Sequence, residues 1–440
     1  MLLQKESPII RGIKAVGVGK KGSRALDSAL IDEIIEELRG NKPSAAQKGA
    51  FFGALILKGL TDEERRLEET LAPGALQNLK QLTNLLCPET PLFVKNFCTQ
   101  LLEGKTLTQE EAKSLGRFLF SSELGDGARG MAASILRVRY ETPDEYAGLL
   151  ESLEETFEPP FKEPVPSGDP IIQIAEPFDG VDQSSMITPL VGEFLQKLSY
   201  RVVHLVGRNS GPKAGYNLLD IANVEAGPCA RPNSLRGNHG GLPLQFLKYP
   251  KELADPKPSF GWFLNQQDLS KPMDSWVDIR REIIKRPFLS TLERFVNPVK
   301  ANILIASAFH APYGEKMLTI CERAGFPAAI IVRNGIEGTI GFPLKRTAKI
   351  LSSKRQKDGT YLRYEIEFDT EKFLGKTLMF EEKLEHPCAE KNVGLIRAHL
   401  EKGHTESEHF DLRVKATCAG LRQAIDWVRA TRRVAPAIRP

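Results

Sequence analysis

Four prolines fall within nine residues at Glu158-Pro159-Pro160-Phe161-Lys162-Glu163-Pro164-Val165-Pro166, and this stretch divides the chain into two textures. Proline fixes φ and has no N–H to donate, so the segment cannot be helix and reads as a stiff linker. Before it the apolar residues follow helical spacing, as in Leu30, Ile31, Ile34, Ile35 and Leu38. After it come short β-branched runs: Ile171 to Ile174, Val202 to Val206, Ile303 to Ala306 and Ala328 to Val332. Helical segments lie between these runs, at Pro189 to Leu198 and Tyr313 to Ala324. Strand and helix in alternation predict an α/β domain with a mainly parallel sheet. Leu362, Tyr364, Ile366 and Phe368 alternate with charged residues after an Asp358-Gly359 turn, which predicts a late, half-exposed β-hairpin. Leu412 to Arg433 reads as a basic helix.

The helical part repeats itself. Gly49, Leu55, Thr61 and Glu64 are matched, 81 positions on and without a gap, by Gly130, Leu136, Thr142 and Glu145. Lys48, Lys58 and Glu63 are matched in kind by Arg129, Arg139 and Asp144. Ser44 with Gln47, Thr61 with Glu64 and Thr142 with Glu145 are capping boxes that start helices. Residues 26–72 and 107–153 therefore read as two copies of one three-helix unit. The expected organisation is a first helical copy in 1–90, a second in 91–157, a linker at 158–170 and an α/β domain over 171–440. A chain of 440 residues has room for two or three domains.

Composition excludes several classes. The net charge of +4 is too small to argue for nucleic-acid binding by itself. No apolar run approaches 18 residues and the start carries no signal-peptide hydrophobic region, so a membrane span and a secretory leader are not expected. Six scattered cysteines without a CxxC fit a reducing cytoplasm and argue against a disulfide framework or a cysteine zinc site. The histidines show no metal spacing, and no Ser-His-Asp or Cys-His constellation can be assigned. Arg236-Gly237-Asn238-His239-Gly240-Gly241 reads as a surface loop or as a flexible anion-wrapping one.

Several segments together resemble anthranilate phosphoribosyltransferase and its glycosyltransferase-family-3 relatives. Gln47 to Phe51 through Leu60 to Glu64 is similar to the family's amino-terminal helices, and so is Leu136 to Glu145. Asp179-Gly180 with Thr188 nine residues after the Asp has the spacing of the family's phosphoribosyl-diphosphate loop. Val206-Gly207-Arg208-Asn209-Ser210 resembles its His-Gly-Asn-Arg-Ser segment. Asp278 to Ile283 through Val296-Asn297-Pro298 follows its Arg-Arg-Glu-Leu to Asn-Pro stretch, and Arg333 to Gly338 its late Gly-x-x-Gly loop. The resemblance implies a phosphoribosyltransferase-like α/β domain and a pentosyl or phosphoribosyl transferase with its site in an interdomain cleft. It implies donor or phosphate binding by Asp179, Gly180, Thr188, Gly207, Arg208, Asn209, Ser210 and Lys213. It implies acceptor binding by Arg280, Asn297 and Pro298, with Arg280 matching the arginine that holds the acceptor's carboxylate in relatives; Arg281 beside it could instead make a structural ion pair. A phosphorylated sugar or other anionic small molecule is the expected ligand, and a homodimer through the helical part the expected assembly. The extra helical copy is a departure, and packing copy on copy within one chain could replace that dimer contact.

The sequence departs from this family where its chemistry resides. Transfer needs backbone N–H groups around the phosphates and acidic residues to hold Mg²⁺ on the diphosphate. Pro177 and Phe178 stand in place of two glycines, beside Glu176. Ser185 and Ile187 replace an Asn and a Ser, Ile340 and Gly341 replace the metal-binding Asp-Glu pair, and Glu293-Arg294 replaces a Gly-Pro. Ordinary anthranilate activity is therefore not expected. Asp179, Glu176 and Glu337 could rebuild a Mg²⁺ site. The alternative is a non-catalytic nucleic-acid-binding protein on the same fold, as in divergent relatives. Its candidate basic elements are Lys20 to Arg24, Lys345-Arg346, Lys354 to Lys357 and Arg429 to Arg433.

Overall fold

The computed structural model describes residues 6–19, 22–209, 215–224, 244–284, 288–308 and 313–430. Ahead of the proline-rich stretch lie helices α1 (Pro8–Val16), α2 (Ser28–Arg39), α3 (Ala45–Lys58), α4 (Leu79–Leu86), α5 (Leu92–Leu102), α6 (Gln109–Leu119), α7 (Asp126–Arg139) and α8 (Pro143–Glu154). After it come α9 (Thr188–Lys197), α10 (Leu218–Asn223), α11 (Gln266–Leu269), α12 (Lys271–Ile283), α13 (Leu289–Leu292), α14 (Tyr313–Arg323), α15 (Thr370–Leu374), α16 (Ala389–Lys402) and α17 (Glu408–Arg429). The basic helix expected from Leu412 thus begins at Glu408. The proline-rich stretch is not wholly extended: Pro159–Lys162 makes a 3-10 turn that buries Phe161. Prolines early in a short turn lack an N–H that the turn does not need, which is how the expectation of no helix fails there.

Packing divides the chain into two units. One comprises the described residues of Met1–Thr156 and Ser270–Val296, and the other those of Phe157–Asn209, Lys213–Leu269 and Asn297–Pro440. The expected continuous domain over 171–440 is therefore interrupted. Residues 270–296 join the helices because α12 buries Met273, Trp276, Val277 and Ile283. Trp276 Nε1 donates to the Leu119 carbonyl at 2.9 Å, and its ring lies edge-on to Phe120.

Within the helical unit the repeat is a structural repeat. α3 and α7 begin and end at equivalent residues, and α2 and α6 begin so. The third elements differ: α8 is an α-helix, whereas its counterpart Glu64–Thr70 is a 3-10 helix. Each copy buries one glutamate, fully screened from solvent, in the same bonds. Glu64 accepts from the N–H groups of Leu26 (3.0 Å) and Thr61 (2.9 Å) and from Lys58 Nζ (2.8 Å). Glu145 accepts from those of Leu107 (2.9 Å) and Thr142 (2.8 Å) and from Arg139. Burial raises the Glu64 pKa, but Lys58 and the two N–H groups outweigh it and hold the carboxyl below its usual value.

The copies meet along α3 and α7, and the contact is reciprocal. A methyl group on Gly49 would overlap the Gly127 carbonyl, and one on Gly130 the Ala46 carbonyl. Gly49 and Gly130 are equivalent, as are Ala46 and Gly127, so residue i meets j where j's equivalent meets i's. That is the rule for a twofold contact, made here within one chain. Gly49→Ala and Gly130→Ala should each cost about 2–3 kcal/mol in urea unfolding, since backbone clashes exceed the ~1 kcal/mol that alanine gains over glycine in a helix. The two losses should be alike; tolerance of one alone would contradict the twofold reading.

The second unit is built on an eight-stranded sheet of β1 (Ile171–Ala175), β2 (Arg201–Val206), β3 (Gln245–Phe246), β4 (Trp262–Asn265), β5 (Ile303–Ser307), β6 (Ala328–Val332), β7 (Ala348–Arg355) and β8 (Tyr361–Phe368). The order is β3-β4-β2-β1-β5-β6-β7-β8, parallel from β3 to β6, with β7 and β8 an antiparallel hairpin. Every residue of β1, β2, β5 and β6 is buried, as a sheet covered on both faces requires. β4 was not legible as a strand, being four residues long and aromatic rather than β-branched. Among the described residues no helix is long and apolar enough to cross a membrane.

His204 lies fully buried in β2, its Nε2 2.8 Å from the Phe260 carbonyl and its ring stacked on Phe263. Burial pushes its pKa down to about 4. The unfolded chain takes up this proton near pH 6.5 and the folded chain only near 4. Stability is therefore whole above pH 6.5 and falls as pH drops towards 4, by up to about 3 kcal/mol. The slope of unfolding free energy between about pH 6 and 4.5 should flatten in His204→Leu; an unchanged slope would refute the assignment.

Candidate functional site

Open parallel sheets place ligands beyond the carboxyl ends of the strands, where the order of winding reverses. Here the chain passes from β1 to β2 on one side and returns with β5 on the other, so the reversal lies between β1 and β5. The segments following β1 and β2 carry most of the predicted donor residues.

Glu176 follows β1 directly and is 3% exposed. Its carboxylate accepts the Thr188 hydroxyl and, at 2.7 Å, the Ile340 N–H. Thr188 is fully buried as the first residue of α9, a helix whose start has no side-chain cap. The hydroxyl that the resemblance assigns to the donor is thus bonded to a carboxylate of the protein. The same carboxylate takes the N–H of one of the two residues that replace the metal-binding pair.

A second carboxylate behaves alike. Glu337, held at φ 51° in a 3-10 turn, accepts from the N–H groups of Asp182 (3.2 Å) and Gln183 (3.1 Å) and from Ser184 Oγ (2.6 Å). Consecutive N–H groups with a hydroxyl form an anion cradle, and here it holds a side chain. The same loop is fixed from α16: Asn392 accepts the Met186 N–H at 2.7 Å and donates to the Met186 carbonyl at 2.9 Å.

Asn209, also assigned to the donor, clips two loops together. Its Nδ2 donates to the Asp179 carbonyl at 3.0 Å and to the Gly215 carbonyl. Asn217 does the same further along, donating to the carbonyls of Phe178 (2.8 Å) and Gly207 (2.9 Å) while its Oδ1 caps α10. Asp179 is buried, Gly180 leads at φ 74° into a bridge between Val181 and Tyr216, and Arg208 is half-buried. Phe178 is buried with its ring against the backbone of Gly207. Asp179, Gly180, Thr188, Gly207, Arg208 and Asn209 are therefore all on the segments after β1 and β2. Ser210 and Lys213 lie outside the described residues, as do Lys20, Lys21, the 236–241 loop and residues beyond Ala430.

The predicted acceptor residues divide between the units. Asn297 and buried Pro298 belong with the sheet, and Asn297 Oδ1 accepts the Ala301 N–H at 2.8 Å in the turn leading into β5. Arg280 belongs with the helices and is 1% exposed. Its Nη1 donates to both carboxylate oxygens of Glu293, at 3.0 and 2.8 Å, and Glu293 is also 1% exposed. Arg280 thus makes a buried ion pair within the protein. Arg281 is exposed and reaches Asp278 at 4.0 Å. Charge complementarity between Arg280 and Glu293, where relatives have a glycine, was the signal that could have found this pair.

The carboxylates do not assemble a metal site. Among the described residues no three His, Cys, Asp or Glu side chains come together in a set able to hold a metal ion. Glu176 and Glu337 already accept from hydroxyl and amide donors, which is not the donor set Mg²⁺ requires. The rebuilt Mg²⁺ site drawn from Asp179, Glu176 and Glu337 does not fit these residues.

The architecture, a helical amino-terminal part followed by a mainly parallel sheet, is similar to that of solved anthranilate phosphoribosyltransferases. The structure of anthranilate phosphoribosyltransferase from Thermus thermophilus superposes with a TM-score of 0.56 at 20% identity, over 75% of this chain and 89% of that one. The enzyme from Saccharomyces cerevisiae, in complex with PRPP and Mg, gives 0.56 at 11% identity, over 78% and 91%. In sequence the chain is 24% identical to the anthranilate phosphoribosyltransferase of Geobacillus stearothermophilus over 254 residues, 56% of this chain and 66% of that protein. It is 23% identical to an uncharacterised protein of Aquifex aeolicus over 235 residues, 53% and 64%. The matched part is thus somewhat less than two thirds of each of these two relatives. No family model matches the chain. In sequence and in fold the chain is thus similar, at 24% identity or less, to anthranilate phosphoribosyltransferases.

Removing one partner of a buried ion pair leaves an uncompensated charge, at about 3–5 kcal/mol. Glu293→Ala should lose stability on that scale, and Arg280→Met with Glu293→Leu should regain most of it. Denaturant unfolding of the three variants tests this; a harmless Glu293→Ala would mean that the pair is not structural.

Proposed function

We propose that this protein binds a ligand on a transferase frame and does not carry out ordinary phosphoribosyl transfer from PRPP with Mg²⁺. One observation carries the reading: Thr188, assigned to the donor, and Arg280, assigned to the acceptor, are each bonded to a carboxylate of the protein. Glu176 holds Thr188 and Glu293 holds Arg280. An incoming diphosphate would have to displace or lie against a buried anion, and like charges in a low-dielectric site repel strongly. Pro177 offers no N–H to a phosphate, and the Phe178 ring covers the Gly207 backbone. The neighbouring 182–184 cradle is filled by Glu337.

Nucleic acid has less support as the ligand. Lys354 is turned to the helix end, donating to the carbonyls of Trp427 (2.8 Å) and Ala430 (2.7 Å). Arg333, Lys349 and Arg363 on and beside the hairpin are paired with Glu365, Glu367, Glu315 and Glu322. These cations of the hairpin face are committed to the protein's own acids and carbonyls before any phosphate arrives. The reciprocal α3–α7 contact also supports a single-chain particle of 48.9 kDa in place of a homodimer through these helices.

The purified protein should neither consume anthranilate nor gain thermal stability with PRPP and Mg²⁺, because a ligand bound only by the native state must raise the melting temperature. PRPP-dependent turnover of anthranilate, or of another aromatic amine, would overturn this proposal and restore a transferase with an altered site.

A further inference from the structure

Most buried polar groups at the carboxyl ends of the strands have partners, as folded chains require. Gln266 is different. It follows β4 directly, is 2% exposed, and among the described residues neither its Oε1 nor its Nε2 has a hydrogen-bond partner. Its amide is turned to the end of β2: a methyl group on Gly207 would lie 2.5 Å from Gln266 Oε1 and 2.7 Å from carbons of the Phe178 ring. The glycine thus lets a bare carboxamide and an aromatic ring approach the same stretch of backbone. That backbone is pinned by Asn217, which donates to the carbonyls of Gly207 and Phe178.

A buried amide with both ends unmade destabilises the chain that carries it. An apolar side chain of similar shape, such as methionine, would remove that cost. A residue kept against local stability is the expected mark of a binding group. A carboxamide offers one donor and one acceptor in a plane, side by side. The complement is a planar edge with an adjacent acceptor and donor, as adenine presents to glutamine. An aromatic ring beside such an amide is the usual companion in recognising a base, where edge hydrogen bonds act together with ring contacts.

We infer that Gln266 is a specificity-determining residue that reads the hydrogen-bonding edge of a nucleobase or a similar heterocyclic amide, next to Phe178. The inference rests on the binding reading above. It gives that reading a ligand chemistry different from the diphosphate whose groups are satisfied internally. Such a base could arrive as a free nucleoside or within a single strand.

The test is thermal-shift titration of the full-length protein and of Gln266→Met with adenosine, inosine, uridine, a short oligo-dA and ribose 5-phosphate. The wild type should be stabilised by at least one base-bearing probe and not by ribose 5-phosphate. Gln266→Met should melt higher than wild type without ligand, and should bind that probe at least ~10-fold more weakly. Gln266→Glu keeps the shape and loses the donor, so it too should lose adenosine response, which guards against a misfolded methionine variant. Response to adenosine assigns the free nucleoside; response to oligo-dA alone assigns a base within a strand. The inference is overturned if no base-bearing probe stabilises the wild type, or if Gln266→Met responds as the wild type does. Turnover of PRPP would sink the binding reading instead, and is read in a separate assay.

Discussion

A buried carboxylate must be given hydrogen-bond donors or it will not stay ionised and buried. In the sheet unit this requirement organises the loops around β1. Glu176 needs two donors and takes them from Thr188, at the start of α9, and from Ile340, far along the chain. One side chain thereby fixes where α9 begins and where the 339–341 segment lies. Glu337 fixes the 182–184 turn in the same way, and Asn392 holds Met186 from the other side. The loops after β1 are thus held in place by the protein's own side chains.

The same economy operates in the helical unit, independently. Arg280 is neutralised by Glu293 with both groups out of solvent. A buried arginine without an anion would be costly, so the pair is better understood as one structural element than as a site awaiting a carboxylate. In the repeat, Glu64 and Glu145 each tie a helix start to the segment entering their copy, at Leu26 and Leu107. Duplication has kept the carboxylate, the cation and both N–H donors together, since losing any of them would strand the rest.

Much of this could be read from the residues. The helical copies were legible because a gapless register carries capping boxes and glycines together, and the parallel core strands because β-branched runs of five are hard to place elsewhere. The hairpin was marked by alternation. The short 3-10 element in the first copy, the two-residue β3 and the aromatic β4 carry no such period, and tertiary packing decided them. Site positions were legible as departures: Glu176, Glu293, Ile340 and Phe178 all stood out against the resemblance. What they bond to was not, because Glu176 to Ile340 spans 164 residues and only the fold brings them together. The pairing of Arg280 with Glu293 was not legible either. Two neighbouring arginines on one helix look alike in sequence, and the helix phase alone buries the first and exposes the second.

These substitutions form a physical pattern. A glutamate at 176, beside the lost glycines, and another at 293 do more than remove ligand contacts. They supply, one in each unit, a carboxylate to a residue that the resemblance assigns to ligand binding. Thr188 and Arg280 are each held by one of these carboxylates, so both serve the fold whether or not they also meet a ligand. On this argument retained residues are weak witnesses to retained activity, because a threonine bonded to an internal carboxylate and one bonded to a phosphate are the same residue in sequence. The informative groups are those that the fold buries and leaves unmatched. Gln266 stands out for that reason: it has an intact donor and acceptor and nothing among the described residues to meet them.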